Sequence, residues 1–443
     1  MFDRFDFDME EPKKDGYPTE GRGGARRTLL VGVRLPKDFL FENSMKELEG
    51  LAEALSLDVR GEVTQSLPAP DKATCLGSGK VEELKTLIEA AEADLVVVNN
   101  TLTPSQLTNL ADALEVEVID RTNLILNIFA ERARTGEAKM QVDYAKLRYM
   151  LPRLVGLRKN LSRQGGTGGS MSNKGAGETQ IELDRRRIQD RMAELRRGLK
   201  ELEKVRATQR SRRERSGVPL VALVGYTNAG KSTLMNLMLD TWCPYPEKRV
   251  EAKDMLFATL DTSVRRITPP DHRDFLLSDT VGFINDLPTE LVTAFRSTLE
   301  EALYADLILQ VVDCSDENHL VHMAVTENTL KELGAGAIPM ITVMNKADRL
   351  HPEAELPFVR GERIYMAAGR GIGLDALLAM IEERLFARFI TAKLLVPYAE
   401  SGQENSIRKD AQVRSCEYRD DGIFLTVSID SDMLKKYERY LVW

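Results

Sequence analysis

The chain has 443 residues, 43% of them hydrophobic and 29% charged, with a net charge of −8 and cysteines only at 75, 243, 314 and 416. That length and balance suit about three folded domains, and cysteines so scattered, without a C-x-x-C pair, exclude a disulfide framework or a zinc ribbon. No apolar run approaches the roughly 20 residues of a membrane helix, and the opening MFDRFDFDMEEPKK is too acidic for a secretion signal, so a cytoplasmic protein without a membrane span is expected.

Residues 1–25, ending in Gly21-Arg-Gly-Gly24, read as a disordered tail. From Thr28 to Arg121 extended and helical segments then alternate. Thr28–Leu35 is extended, Asn43–Leu55 helical behind an Asn cap, Leu57–Val63 extended and Val81–Ala91 helical. Leu95–Val98 is a buried strand, Pro104–Leu114 a helix opened by Thr103 and Pro104, and Val116–Ile119 a strand. The alternation predicts an α/β subdomain over 26–122 with a mostly parallel sheet. Gly77-Ser-Gly79-Lys80 within it is spaced too tightly for a phosphate loop.

Over 123–216 the pattern becomes helical. Met140, Tyr144, Leu147, Leu151 and Leu154 step by four and three, as do Ile188, Met192, Leu195, Leu199 and Leu202, which predicts a narrow seam in a helical hairpin. Pro152 ends or kinks the first helix. Gly165–Gly169 and Gly175-Ala-Gly177 form a flexible tip flanked by Arg153, Arg158, Lys159, Arg163 and Lys174. The second helix, Glu178 to Arg215, would span about 55 Å. Residues 144–215 carry 20 Lys+Arg against 8 Asp+Glu, a local +12 that leaves −20 for the rest of a chain totalling −8. Such a split points to a polyanionic partner, the plainer alternatives being a solvated helical face or an interdomain linker.

Residues 217–388 carry the chemistry. The apolar run Leu220–Val224 leads into Gly225-Tyr226-Thr227-Asn228-Ala229-Gly230-Lys231-Ser232, the strand, glycine turn and helix start of a phosphate cradle. Backbone N–H groups of Gly225 to Gly230 would wrap the phosphates, Lys231 would reach the β and γ phosphates, and Ser232 would ligate Mg2+. Phe257-Ala258-Thr259-Leu260-Asp261 lies in a stretch without strong periodicity. Thr259 there is expected to supply the second Mg2+ hydroxyl on a switch loop, with Thr262 as the competitor. The strand Phe275–Ser278 ends in Asp279-Thr280-Val281-Gly282, which supplies a carboxylate for the outer coordination of Mg2+ and a glycine N–H for the γ-phosphate. Lys231, Thr259 and Gly282 are thus the residues expected to act on the reacting phosphate. A further strand, Ile338–Met344, ends in Asn345-Lys346-Ala347-Asp348, where Asp348 can accept from N1–H and the 2-amino group of guanine, donors that adenine lacks. Ala367-Ala368-Gly369 backs the base. The order of these motifs predicts a doubly wound α/β GTPase domain binding GTP and GDP. Phe283 and Ile284 stand where many GTPases carry a glutamine that orients water, so slow intrinsic hydrolysis accelerated by a partner is expected. Residues 389–443 read as a small α+β domain: a strand at Leu394–Tyr398, a hairpin turning at Asp421-Gly422, and a last helix from Asp432.

These residues resemble the HflX family of ribosome-associated GTPases over nearly the whole chain. Beyond the nucleotide motifs the resemblance is carried by Asp120-Arg-Thr-Asn-Leu-Ile125, Ile128-Phe-Ala130, Gln141-Val142, Leu151-Pro-Arg-Leu154 and Gly175-Ala-Gly-Glu-Thr-Gln180 leading into Asp184-Arg-Arg186. Phe283 resembles the family's hydrophobic replacement of the catalytic glutamine, whereas Ala367-Ala368 departs from the usual Ser-Ala. The resemblance implies GTP hydrolysis, binding to the large ribosomal subunit and its ribosomal RNA through the basic hairpin tip and, as in several members, splitting of stalled or idle ribosomes; a monomer is expected. Two other readings remain open. One is a GTPase assembly factor of the large subunit. The other is a non-enzymatic RNA-binding adaptor, against which Lys231, Ser232, Asp279, Asn345 and Asp348 all speak.

Overall fold

The computed structural model describes residues 25–154, 174–243, 256–257, 263–270, 272–280, 282–284, 301–387 and 389–442. The chain divides into two units, Met1–Arg212 with Lys253–Asp261 and Val281–Leu299, and Arg213–Ala252 with Thr262–Thr280 and Glu300–Trp443. Among the described residues no helix is long and apolar enough to cross a membrane.

The first unit opens with an all-parallel sheet of β1 (Arg27–Arg34), β2 (Asp58–Ser66), β3 (Leu95–Val98) and β4 (Glu117–Asp120) in the order β2-β1-β3-β4. β3 is buried at every position, which is why it reads as an unbroken apolar run. Helices α1 (Phe41–Ala54), α2 (Ser78–Ala91) and α3 (Pro104–Leu114) connect the strands. α3 starts as expected: Gln106 N donates to Thr103 Oγ1 at 3.3 Å while Thr103 N donates back to Gln106 Oε1 at 3.0 Å, a reciprocal cap. α1 does not. It begins at Phe41, two residues before the expected Asn43 cap, and has no side-chain cap. Phe41 and Met45 are buried with Leu48 and Leu51, so the apolar face decides where the helix begins.

α4 (Arg121–Arg132) follows β4 directly, capped by Asp120, whose Oδ1 accepts from Asn123 N at 2.9 Å. Seven of its twelve residues are buried, which widens the amphipathic stripe beyond a narrow seam. α5 (Gly136–Met150) ends in a 3-10 turn at Leu151–Arg153, where Pro152 was expected to stop it. α5 and α6 (Lys174–Ser216) run antiparallel: Arg206 pairs with Glu137, Arg196 Nη2 donates to Tyr144 OH at 2.7 Å, and Met140 lies against Gly198. On α6 the predicted seam holds, with Leu195 buried and Ile188, Met192, Leu199 and Leu202 half-buried between exposed neighbours. On α5 it is broader than predicted, since Ala138, Gln141, Val142, Tyr144, Ala145 and Tyr149 are all buried and α5 packs on α4 as well. Of the glycine-rich tip, Gly165–Gly169 with Arg158, Lys159 and Arg163 lies outside the described residues, whereas Gly175-Ala-Gly177, expected in the flexible tip, belongs to the first turn of α6.

The second unit is built on seven strands in the order β10-β11-β9-β8-β5-β7-β6. They are β5 (Leu220–Gly225), β6 (Ser263–Ile267), β7 (Phe275–Asp279), β8 (Leu307–Asp313), β9 (Met340–Asn345), β10 (Phe358–Arg360) and β11 (Arg363–Tyr365). The pairs β11/β9, β9/β8, β8/β5 and β5/β7 are parallel and only the two edge pairs antiparallel. The carboxyl ends of the central strands therefore share one rim, where open α/β sheets take their ligands. Helices α7 (Lys231–Trp242), α8 (His319–Leu333) and α9 (Leu374–Leu385) accompany them, and Val221, Leu223, Leu309, Ile341, Val343 and Leu377 are part of the core. A separate antiparallel sheet follows, β12 (Phe389–Val396), β13 (Ala411–Arg419) and β14 (Gly422–Asp430) in the order β12-β14-β13, with α10 (Gly402–Asp410) beside it. The alternating Ile423, Leu425, Val427 and Ile429 are buried with Leu394, Ile407 and Tyr437. The last helix is shorter than predicted, one α turn at Ser431–Leu434 and then a 3-10 turn to Tyr440. Arg273, in the turn between β6 and β7, joins the two sheets: its Nε donates to Ser428 Oγ at 3.1 Å and its guanidinium lies 5.4 Å from the Phe386 ring.

Candidate functional site

β5 ends in Gly225, whose φ is +147° and whose Cβ, if present, would lie 2.1 Å from the Val311 carbonyl oxygen. Only glycine lets β5 keep its parallel register with β8 at that point, Gly225 opposite Val311. The chain then turns through Asn228 (φ +60°) and Gly230 (φ +95°) into α7, which starts at Lys231. Tyr226, Thr227, Ala229 and Lys231 are buried, Asn228 exposed and Ser232 half-buried.

Inside this loop Lys231 Nζ donates to the carbonyls of Gly225 at 3.0 Å and Tyr226 at 2.8 Å. Burial lowers its pKa to about 8 from the ordinary 10.5, against the opposing pull of the Asp279 carboxylate. Ser232 Oγ donates to Asp279 Oδ2 at 2.8 Å. Asp279 closes β7, fully buried, and Thr280 after it donates from Oγ1 to the Leu223 carbonyl at 2.7 Å. A hydroxyl and a carboxylate meeting beside a lysine in a glycine loop is an all-oxygen donor set, the chemistry Mg2+ takes alongside phosphates.

Gly282, Phe283 and Ile284 are buried. Ala258, Thr259, Leu260, Asp261, the competitor Thr262 and Val281 lie outside the described residues. Phe257 is buried with a left-handed φ of +55°, its ring edge-on to Phe129 of α4 at 4.6 Å.

On the base side, Asn345 ends β9 and uses both ends of its carboxamide. Nδ2 donates to the Ala229 carbonyl at 2.9 Å and Oδ1 accepts from Ala368 N at 3.0 Å, so one side chain staples the phosphate loop to the turn Ala367-Ala368-Gly369. Lys346, left-handed at φ +57°, donates from Nζ to the Asn228 carbonyl at 2.9 Å and pairs with Asp313 Oδ2 at 2.7 Å. Burial would push the Asp313 carboxyl up, but hydrogen bonds from Lys346 and Ser315 hold it below its ordinary value. Ala347, Ala367 and Ala368 are buried and Gly369 is exposed. Asp348 keeps 17% of its side chain exposed and has Arg370 beside it, Nε to Oδ2 3.4 Å. Three participants escaped the sequence reading. Asp313 is signalled by being the carboxylate that ends an apolar strand, whereas neither Arg370 nor the stacking of His322 on Tyr226, ring centroids 3.8 Å apart, has a sequence signal.

The basic helical pair needs one correction. Arg153, expected on the tip, is turned inward with 10% of its side chain exposed. Nη1 donates to the Tyr149 carbonyl at 2.9 Å, Nη2 to the Leu102 carbonyl at 2.7 Å, and Asp120 lies 3.6 Å away. Tyr149 OH donates to the same Asp120 at 2.9 Å. These partners leave Arg153 no reach toward a polyanion. Among the described residues, cations that do face solvent include Lys139 on α5 and Arg185, Arg186, Arg187, Arg197 and Lys200 on α6.

Residues 42–130 match the family described as GTP-binding GTPase N-terminal, residues 132–213 the GTP-binding GTPase Middle Region, and residues 220–346 the 50S ribosome-binding GTPase. The GTPase HflX of Caldanaerobacter subterraneus subsp. tengcongensis is 42% identical over 421 residues, 95% of each chain. That of Escherichia coli (strain K12) is 38% identical over 405 residues, 90% of this chain and 88% of that one. A solved structure of a GTP-binding protein from Sulfolobus solfataricus in complex with GDP covers 81% of this chain and 98% of its own at 23% identity, with a TM-score of 0.42.

Proposed function

The chain belongs to the HflX GTPases and hydrolyses GTP, and from that premise we propose that it binds the large ribosomal subunit and uses the GTP cycle to separate stalled or idle ribosomes in the cytoplasm, acting as a monomer. The observation that carries the reading is the excess of cations along α6, 14 Lys+Arg against 8 Asp+Glu, in a chain whose nucleotide domain matches a ribosome-binding type. Phosphate neutralisation by such a helix is shape- and charge-driven, which suits structured RNA.

In this reading Lys231 turns from the carbonyls of Gly225 and Tyr226 to the β and γ phosphates, and the N–H groups of Gly225 to Gly230 wrap the rest. Mg2+ would supply neutralisation of the phosphate charge; Ser232 and Thr259 would hold it, and Asp279, which accepts from Ser232 Oγ, would orient that hydroxyl. Gly282 N–H meets the γ-phosphate. Asp348 reads N1–H and the 2-amino group, Asn345 keeps the cradle and the base-backing turn Ala367–Gly369 in fixed relation, and Lys346 with Asp313 secures the loop at Asn228. Phe283 has no group to orient water, so turnover is slow until the ribosome engages.

The test is a sucrose-gradient profile of mature ribosomes mixed with the full chain and GTP or GDP. Conversion of ribosomes to free subunits that requires GTP supports the proposal. Co-migration with immature large subunits alone would replace it with an assembly role, and RNA binding without any GTP-dependent step would reduce it to an adaptor.

A further inference from the structure

The carboxylate of Asp348 has an ion-pair partner. Arg370 Nε lies 3.4 Å from Asp348 Oδ2, and Nη1 of the same guanidinium is 2.6 Å from Glu353 Oε1. The backbone of Arg370 is fixed as well. It closes the 3-10 turn Ala368–Arg370 by donating its N–H to the Ala367 carbonyl at 3.0 Å, and the N–H that opens this turn is held by Asn345. Ala367 has no hydroxyl to offer, and among the described residues the side chain paired with Asp348 is that of Arg370.

We propose that Arg370 is a positioning residue for base selection: anchored by Glu353, its planar fork fixes the Asp348 carboxylate so that both oxygens face the N1–H and 2-amino edge of guanine. The inference rests on Asp348 being the base reader. Each carboxylate oxygen has about two acceptor sites, so Oδ2 can keep Arg370 and still accept from a base. A fixed carboxylate loses a full hydrogen bond when the base lacks the 2-amino group, as in inosine. A carboxylate free to swivel re-optimises the remaining bond and discriminates less. Arg370 therefore acts on the ratio of guanine to inosine affinity and not only on affinity itself. A lysine keeps the charge but cannot bridge two carboxylates from one plane.

The experiment is competitive titration of the full chain with GDP and IDP for the wild type, Arg370→Ala, Arg370→Lys and Glu353→Gln, with XDP against Asp348→Asn as a separate arm. The Arg370 side chain is 60% exposed, so its truncation leaves the fold in place, and thermal midpoints check this. Arg370→Ala should lower GDP affinity about two- to fivefold, the range of a partly exposed ion pair, and lower the GDP/IDP ratio with it. Arg370→Lys should recover only part of the ratio, and Glu353→Gln should shift it the same way by less. An unchanged GDP/IDP ratio in Arg370→Ala, in a protein whose Asp348→Asn form gains XDP binding, overturns the role of Arg370 alone. If Asp348→Asn keeps its guanine preference, the base reader is misassigned and the inference falls with it.

Discussion

Adding one methyl group at Gly230 should remove most of the nucleotide affinity, for reasons of backbone strain, steric overlap and broken hydrogen bonds. At φ +95° an L residue is strained by about 1–2 kcal/mol. The new Cβ would also lie 2.3 Å from Asn345 Nδ2, so the carboxamide has to leave. Its departure breaks the bonds to the Ala229 carbonyl and from Ala368 N, each worth about 1 kcal/mol. Together this is on the order of 3 kcal/mol, or about 150-fold in GDP affinity if the strain is relieved by opening the cradle. Two neighbouring glycines frame the test. A Cβ at Gly369 meets nothing within 4 Å, so Gly369→Ala should stay within about 0.5 kcal/mol of wild type. At Gly225 the obstacle is the Val311 carbonyl at 2.1 Å, a backbone atom inside the sheet, so Gly225→Ala should break the β5–β8 pairing and be the worst of the three. Calorimetric GDP titration and the thermal midpoint of each variant measure the order. A Gly230→Ala protein that binds GDP within about twofold of wild type at an unchanged midpoint would refute the reasoning.

Other outcomes follow from the same geometry. The folded pKa of Lys231, about 8, lies below its unfolded value, so the penalty of burying its charge is complete below about pH 8 and fades as pH rises toward 10.5. Phosphates require the ammonium form, so GDP binding should take up protons, and more of them at pH 8.5 than at pH 7; a binding enthalpy at pH 8.5 independent of buffer ionisation enthalpy would contradict this. Asp348→Asn should weaken guanine nucleotides by about 1–3 kcal/mol by leaving a guanine donor unpaired and should admit XTP, read by titration with GTP, ATP and XTP. Arg153→Ala should destabilise the first unit by about 2 kcal/mol through the buried Leu102, Tyr149 and Asp120 partners, without changing the salt dependence of ribosome binding. Replacing Arg186, Arg197 and Lys200 by Ala should do the reverse, lowering the slope of log K against log salt by roughly 0.7 to 0.9 for each phosphate that is no longer neutralised, measured by co-sedimentation at several salt concentrations.

Some elements of this protein were legible because neighbouring residues settle them. The turn from β5 into α7 needs glycine at positive φ within a span of a few residues, and GYTNAGKS states that need outright. The start of α3 is an exchange of hydrogen bonds between Thr103 and Gln106, three residues apart. The seam of α6 shows because that helix buries one face only. The separate helix α4 was harder to delimit within the helical stretch, since seven of its twelve residues are buried and no narrow seam marks it.

Which partner a polar side chain takes was decided by the tertiary structure. Arg153 reads as one more cation beside a glycine-rich tip, yet it donates to a carbonyl 51 residues earlier in the chain. Asn345 reads as a member of a base-binding motif, yet it also ties that motif to the phosphate loop 116 residues away, and Arg370 gains a role only because its turn brings it beside Asp348. Backbone dihedrals, caps and hydrophobic period act over a turn or two of chain, so sequence alone indicates most of them, although packing moved the start of α1 away from the Asn43 cap. Hydrogen bonds and ion pairs act over about 3 Å of space, and only the folded sheet and helices bring those atoms that close.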